Sequence, residues 1–565
     1  MSYLDSLNRF AQSPVGLDIG RSKFNMPFKH KTTFTSGKLI PLMWKEVLPG
    51  DTFKCDLSAV IRSITPVAPV MDDSYIDLYY FFIPNRLACR HPNDWAAVCG
   101  ENFSGPWAQS TEATLENTGN FVQLGSMMKT TYNISSGDLP NYLGLPIGIP
   151  GNTTTKINIL PFMAYQKIWN EWFRDQNVSS PIDFDSNNFY SPQSGDDYAG
   201  VMQLRPVCKF HDYFTSCLPA PQKAASVALP LGTFAPVLTL DSVHAVNAGS
   251  SIGDSKYSLK WAKGDGDPVA NNTGVNIGQS GTFSTGSGTG TGTYLQPNNL
   301  YADLANATAA SINAIRLAFA LQRFAEKQGL GGTRYREVLK SFFGVTIPDY
   351  TVQVPEYLGG KRIPLNITQV LQTSSTDNVS PLGTTGAFSN TGFSDNGFVK
   401  SFSEYGIVMA VACVRTMQSY SQGVAKAWTR NRRFDFYWTT FANLGEQPVY
   451  KYELYADTTN FVDNASAPVF GYQEAWADYR YSPILVTGNF APAANDTTLT
   501  AWTYTNNFSA APTLSVAFIT QDPASIGDTL VVANASYQFI GDFQFNITAT
   551  RPMPLYSIPG LIDHH

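Results

Sequence analysis

Residues 74–83 read SYIDLYYFFI. β-Branched and aromatic side chains dominate them, as they do on pleated, half-buried surfaces. One face of the implied strand carries Tyr75, Asp77, Tyr79 and Phe81. The other carries Ile76, Leu78, Tyr80 and Phe82. Successive side chains of a strand point to opposite faces, so two largely apolar faces predict a strand covered on both sides. Pro66, Pro69 and Pro84 bound it and its predecessor. The pattern extends outward to strands over 51–87, and a second buried strand is expected at 407–414.

Composition agrees with a β-rich chain that meets other chains. The sequence has 565 residues, with Gly 44 and Pro 35, enough punctuation to favour short strands and long loops. Charged residues are 15%, against roughly 25% in an average soluble protein. Aromatics are 13%. Few charges and many aromatics mark contact surface. A net charge of −6 argues against a dedicated nucleic-acid binder, which carries a strongly basic domain. The start, MSYLDSLNRF, has no apolar signal core, and the longest apolar run is too short to span a bilayer. The expectation is a chain made in a cytoplasm with no membrane insertion.

Four segments are expected. Residues 1–50, with Arg21, Lys23, Lys29, His30 and Lys31, read as an extended arm on a neighbouring subunit or an inner surface. Residues 51–224 hold the first strands and a helix at 161–174, whose face carries Phe162, Tyr165, Trp169, Trp172 and Phe173. Such a stripe is core or subunit contact before it is a ligand box, and Trp169, Trp172 and Phe173 are the subunit-contact candidates. Residues 225–296 lack arginine and end in GSGTGTGTY at 286–294, too flexible for a dense core. They read as a projecting insertion whose host-facing candidates are Gly232, Tyr257, Trp261, Gly286 and Tyr294. Residues 297–565 hold a helix at 303–328, further strands and an extended tail. Asp303 or Asn306 can cap that helix and Gly329 can close it. Its apolar face would be Leu317, Ala318, Leu321, Phe324 and Ala325, with Ile312, Ile315 and Phe319 beside it.

Two sets of cations stand out. Arg316, Arg323 and Lys327 fall in one helical stripe, either solvated or turned toward nucleic acid. Residues 426–438, KAWTRNRRFDFYW, interleave Lys426, Arg430, Arg432 and Arg433 with Trp428 and further aromatics. Charge for phosphates and rings for bases are what single-stranded nucleic acid requires. The plainer reading is an amphipathic strand with structural arginines.

Catalytic chemistry finds no support. HExxH and the P-loop pattern are both missing from the sequence. His211 with Cys217 is a weak nucleophile pair, and Asp72 with Asp73 a weak cation site. The six cysteines show no CxxC pair or zinc spacing and read as free, mostly buried thiols. No catalytic residue, cofactor or metal is expected.

Several blocks, in order, resemble the major capsid proteins of gokushoviruses, single-stranded DNA bacteriophages of the Microviridae. They are FKHKTTF at 28–34, EVLPGDTF at 46–53, TPVAPVMD at 65–72, YFFIPNRL at 80–87 and HDYFTSCLPAPQK at 211–223. GGTRY at 331–335, PEYLGG at 355–360, GYQEAWADYRY at 471–481 and RPMPLYSIPGLID at 551–563 complete the match. Two departures stand out: Ala220 sits where the family commonly has tryptophan, and 225–296 has no matching block. The resemblance implies an eight-stranded antiparallel jelly roll with long inter-strand insertions and a few helices. It implies a homo-oligomeric T=1 icosahedral shell around a circular single-stranded DNA genome, found in the virion after synthesis and assembly in the host bacterial cytoplasm. By position, 225–296 would be a hypervariable threefold protrusion meeting a bacterial surface receptor. Other implied partners are a small basic DNA-packaging protein, a pilot protein and a scaffolding protein. The competing class is a β-sandwich surface or carbohydrate-binding protein with 225–296 as its ligand loop. A hydrolase on a β scaffold comes third.

Overall fold

Residues 74–84 form a central strand of one of two antiparallel sheets in a computed structural model. The structure describes residues 20–89, 134–148, 156–184, 200–224, 312–374, 381–491 without 463 and 465, and 499–556 without 533–535. It also describes residue 227 and short strands at 121–123, 237–239, 261–263, 275–277, 283–285, 295–297 and 300–302. The chain divides into two compact units, residues 222–327 and the remainder. The smaller unit is longer than the insertion expected at 225–296, since it takes in 297–327 as well.

Among the described residues, the two main sheets of the larger unit are built from nine strands: β1 (Ser22–Asn25), β2 (Phe28–Phe34), β3 (Ile40–Val47), β4 (Thr52–Ser63), β5 (Ser74–Pro84), β6 (Glu356–Pro364), β7 (Thr391–Ser401), β8 (Gly406–Thr416) and β9 (Phe539–Arg551). One sheet runs β2–β9–β4–β7 and the other β3–β8–β5–β6, with every neighbour antiparallel. β1 continues the β2 edge along β9. Pro27 divides the two, because a residue without an N–H interrupts a ladder and is tolerated at an edge. Counting β1 and β2 as one edge, each sheet has four strand positions. The chain changes sheet at every step except β5 to β6. That is jelly-roll winding, as the sequence led us to expect.

Two cores meet at β5. Ile76, Leu78, Tyr80 and Phe82 face the space between the sheets, against Phe53, Leu57, Phe543 and Phe545. Phe81 and Ile83 face the other way, into a second core with Met163, Tyr165 and Ile168 of α1 (Leu160–Ile168). β8 is buried on both faces in the same manner. Strict alternation in β4 and β9 shows the contrasting case, a sheet with one wet side.

Asp77 is the exception on the apolar strand. Its side chain is 2% exposed and lies between two arginines of the flanking strands. Arg362 Nε donates to Oδ1 at 2.7 Å and Arg415 Nε to Oδ2 at 3.0 Å. Both guanidinium groups stack on Phe210, at 4.2 and 4.4 Å. This cross-strand clamp ties β6, β5 and β8 together.

Several expectations need correction. Residues 20–50 are not an arm: they form β1–β3, and Phe34, Ile40, Leu42, Met43 and Val47 belong to the sandwich core. Lys29 and Lys31 alternate outward along an edge strand, where Lys29 pairs with Asp542 across the ladder at 3.0 Å, whereas His30 turns inward and its Nδ1 bonds Leu42 C=O at 2.7 Å. Residues 1–19 lie outside the described residues. The helix expected at 161–174 is present but changes pitch. Its last turn, Trp169–Phe173, is π-helical, and Arg174 N–H bonds Trp169 C=O at 2.9 Å. The helix expected at 303–328 is α2 (Ile312–Gly331), which runs through Gly329 and gives way at Gly332, φ +87°. Residues 303–311 are outside the described set. Only Ala318 and Ala325 of its apolar face are buried, whereas Leu317, Phe319, Leu321 and Phe324 are exposed. Of the six cysteines, Cys55, Cys217 and Cys413 are buried free thiols, Cys89 is buried and Cys208 is half-buried. Cys99 is not described.

Replacing Asp77 with Ala leaves Arg415 buried without its counter-charge. The expected cost is about 3–5 kcal/mol of subunit stability in urea denaturation. Arg362→Gln, at a half-exposed position, is expected to cost much less.

Candidate nucleic-acid interface

The chain leaving β8 enters a lobe with its own small core of Tyr213, Phe214, Cys217, Val449, Leu454, Phe470, Phe518 and Ile519. Three segments build it. An Asx turn at Asp212 fixes the first, with Phe214 and Thr215 N–H on Oδ1 at 3.0 and 2.7 Å. The second is a hairpin of Glu446–Tyr450 and Val469–Glu474, bridged to the first at Leu218–Tyr472. The third is residues 420–438. Gly423 lets its backbone press against the hairpin's continuation, since a Cβ there would sit 1.9 Å from Glu453 C=O.

Residues 426–438 are not a strand. Short 3₁₀ turns at Lys426–Thr429 and Arg433–Asp435 break the extended path. Asp435 holds the second turn by accepting Asn431 and Arg432 N–H at 3.0 and 2.8 Å. The turns turn the aromatic rings outward. Trp428 is 84% exposed, and Phe434, Phe436, Tyr437 and Trp438 are exposed as well. Arg433 lies over the Trp438 and Phe434 rings, at 5.3 and 5.9 Å.

The four cations here do not share one role. Arg430 is half-buried, paired with Asp478 and stacked on Tyr479 at 4.1 Å, so it serves the fold and is withdrawn from phosphates. Lys426 Nζ donates to Pro448 C=O at 3.1 Å and is half-buried. Arg432 and Arg433 are exposed. Arg316, Arg323 and Lys327 are exposed too, but on the other compact unit.

Beneath Trp428 lies a cleft of about 500 Å³ that sequence reasoning did not find. Tyr213 and Tyr481 line it as a stacked pair, 5.1 Å between centroids and 14° between planes. Glu453 and Asp478 supply its carboxylates. Glu453 Oε1 accepts Tyr450 N–H at 2.9 Å, and Oε2 takes a long 3.4 Å bond from Tyr213 OH. Burial, followed by the nearby Asp478 charge, raises the Glu453 carboxyl to about 7, against the opposing pull of Lys426 and the Tyr450 N–H. The blocks HDYFTSCLPAPQK and GYQEAWADYRY supply Tyr213, Asp478 and Tyr481, so their meeting here was unreadable from either one alone.

The remaining candidates go elsewhere. Trp169 is not a subunit contact: it lies in the second core and donates Nε1–H to Pro206 C=O at 2.6 Å. Trp172 and Phe173 are half-buried against Phe81, at 5.5 and 6.2 Å. Helix α1 covers the outer face of β5, which uses up these rings inside the subunit. Gly232, Tyr257, Gly286 and Tyr294 fall outside the described residues, and Trp261 is placed only as the start of a short strand, Trp261–Lys263. Burial and neighbouring carboxylates raise the Cys217 thiol, the wrong direction for a nucleophile, and its S–H points at Tyr213 C=O. Asp72 accepts Tyr504 N–H at 2.6 Å, which gives it a structural partner.

Glu453 generates a pH prediction. Its folded pKa lies above the unfolded value, so its stabilising share is full at low pH and lost as pH rises through about 7. Lys426, Asp478 and Tyr213 are the titratable groups around it. Subunit melting temperature should fall between pH 5 and 8, and Glu453→Gln should flatten that slope. An unchanged slope in the variant would assign the titration to another group.

Comparison with known proteins places the whole chain. The model of a family described as capsid protein (F protein) matches residues 14–561. The chain is 37% identical over 560 residues to capsid protein VP1 of Bdellovibrio phage phiMH2K, covering 97% of each chain. It is 34% identical over 596 residues to capsid protein VP1 of Chlamydia phage 1, covering 98% of each. It is 35% identical over 560 residues to capsid protein VP1 of Spiroplasma virus 4, covering 97% of this chain and 96% of that one.

Proposed function

Because the chain belongs to the phage capsid protein (F protein) family, we propose that it assembles into a T=1 icosahedral shell around a circular single-stranded DNA genome. Its role is structural rather than enzymatic, and its place is the virion. The observation that carries the finer reading is the apolar surface of the single subunit. Phe343, Tyr350, Val399 and Leu485 are among many large side chains left more than half exposed. Scattered apolar residues are normal on a monomer, but this density calls for other copies to cover it. In a closed shell each copy is held by several neighbours, so modest contacts sum to a stable particle.

In this reading residues 225–296 project outward and meet the host surface. Arg432, Arg433 and the exposed rings around them face the genome, with Arg316, Arg323 and Lys327 as a second set. Assembly would take place in the host cytoplasm. The net charge of −6 leaves most of the genome's charge to a small basic packaging protein, with pilot and scaffolding proteins as further partners.

Light scattering and electron microscopy of the purified chain test the assembly. A uniform particle of about 60 copies, near 4 MDa, is expected from a 61.9 kDa subunit. A monomer that persists with DNA and the partner proteins added would reject it. Deleting 225–296 should leave particle yield intact and remove attachment to host cells. Loss of particles from a folded subunit would instead make the segment an assembly element.

A further inference from the structure

We propose that the cleft beneath Trp428 takes one unstacked base of single-stranded DNA, with Trp428 as the stacking plate, Glu453 reading the base edge and Arg432 and Arg433 holding the flanking phosphates. The inference rests on the genome-facing reading of residues 426–438 and adds to it a defined pocket.

The geometry supports each part. About 500 Å³ lies within the range of small-ligand pockets. Its aromatic wall is already formed, because Tyr213 and Tyr481 stack on each other without a ligand. Trp428 lines the same cleft yet remains 84% exposed, a large flat ring lacking a cover. Base–aromatic stacking supplies such a cover for any base, since every base has a π face. A base inside a duplex cannot reach a recess of this kind, so the ligand is a single strand.

Charge favours the same ligand. Arg430 neutralises Asp478, which removes the acid that would repel a polyanion. It also occupies the face of Tyr479, the ring a lysine or arginine of a basic peptide would otherwise take. Glu453 is left at the cleft with one oxygen only weakly engaged, by the 3.4 Å bond from Tyr213. With a carboxyl near 7, it can donate as well as accept, as the edge of a base requires. Arg432 and Arg433 follow Arg430 along the chain and stay exposed, as phosphate contacts must.

The test is fluorescence anisotropy on the full-length unassembled subunit at one fixed salt concentration. The probes are homopolymer oligodeoxynucleotides of about a dozen residues and an abasic strand of the same length. The base-bearing strands are expected to bind about tenfold tighter than the abasic one. Trp428→Ala should abolish that difference and leave abasic affinity unchanged. Glu453→Gln, which keeps the side-chain shape, should alter the ranking among homopolymers several-fold. Arg432→Gln with Arg433→Gln should weaken all strands alike. Equal affinity for abasic and base-bearing strands would overturn the pocket while leaving the genome-facing reading in place. No binding of any strand would overturn both. Unaltered discrimination in Trp428→Ala, with particles no longer forming, would mean that a neighbouring subunit fills the cleft.

Discussion

The larger unit depends on one strand being dry on both faces. β5 supplies Tyr80 and Phe82 to the sandwich and Phe81 and Ile83 to the helix-covered core behind it. Neither layer can form without it. A strand so placed has no wet side for a charge, and Asp77 is kept ionically satisfied only because β6 and β8 each bring an arginine to it. The clamp also fixes register: a slip of one residue would turn Asp77 into the sandwich core and Tyr80 out of it. Tyr80 adds its own lock, donating to Asp395 at 3.0 Å beside the β7 bulge.

From this frame the candidate site follows by extension. β8 is the neighbour of β5, and the residues after it cross into the lobe that carries the cleft. Tyr420 packs edge-on to Phe214 at 5.0 Å and donates to Asp212 at 2.9 Å, so the lobe is tied to the sheet through the segment that leaves it. The exposed rings at 428–438 stand on a small but well-bonded platform rather than on a free loop. A surface of this kind is pre-organised, which lowers the entropy lost when a partner covers it.

The sandwich was legible because its signal is local. Ten residues of SYIDLYYFFI reveal a doubly buried strand, and the tryptophan-bearing helix declares itself by spacing and by Pro161. β2 was misread because Lys29, His30 and Lys31 suggested a basic arm, whereas only the pairing partner, 539–551, makes those residues an edge strand. The apolar face of α2 was overestimated for the converse reason: periodicity gives a face, but cannot say how much of it the subunit itself covers. The cleft was hidden because its walls come from positions near 213, 428, 453 and 479. Sequence leaves Arg430 open between a phosphate contact and a structural arginine, since nothing nearby in the chain predicts its partner Asp478. Glu453 gave one weak sign, an acid between the tyrosines and leucine of KYELY.

The winding of the first sheet has a temporal consequence. β9 lies inside that sheet, between β2 and β4, although it is the last long strand of the chain. Ser36 waits for Gln538, whose side-chain oxygen accepts both its N–H and its hydroxyl, across 502 residues of sequence. At about 5–20 residues per second, a ribosome needs on the order of a minute to deliver that strand. Until then β2 and β4 have no partner between them, and loop closure over such a span is slow. A prematurely terminated chain therefore lacks the middle of a sheet rather than a dispensable end.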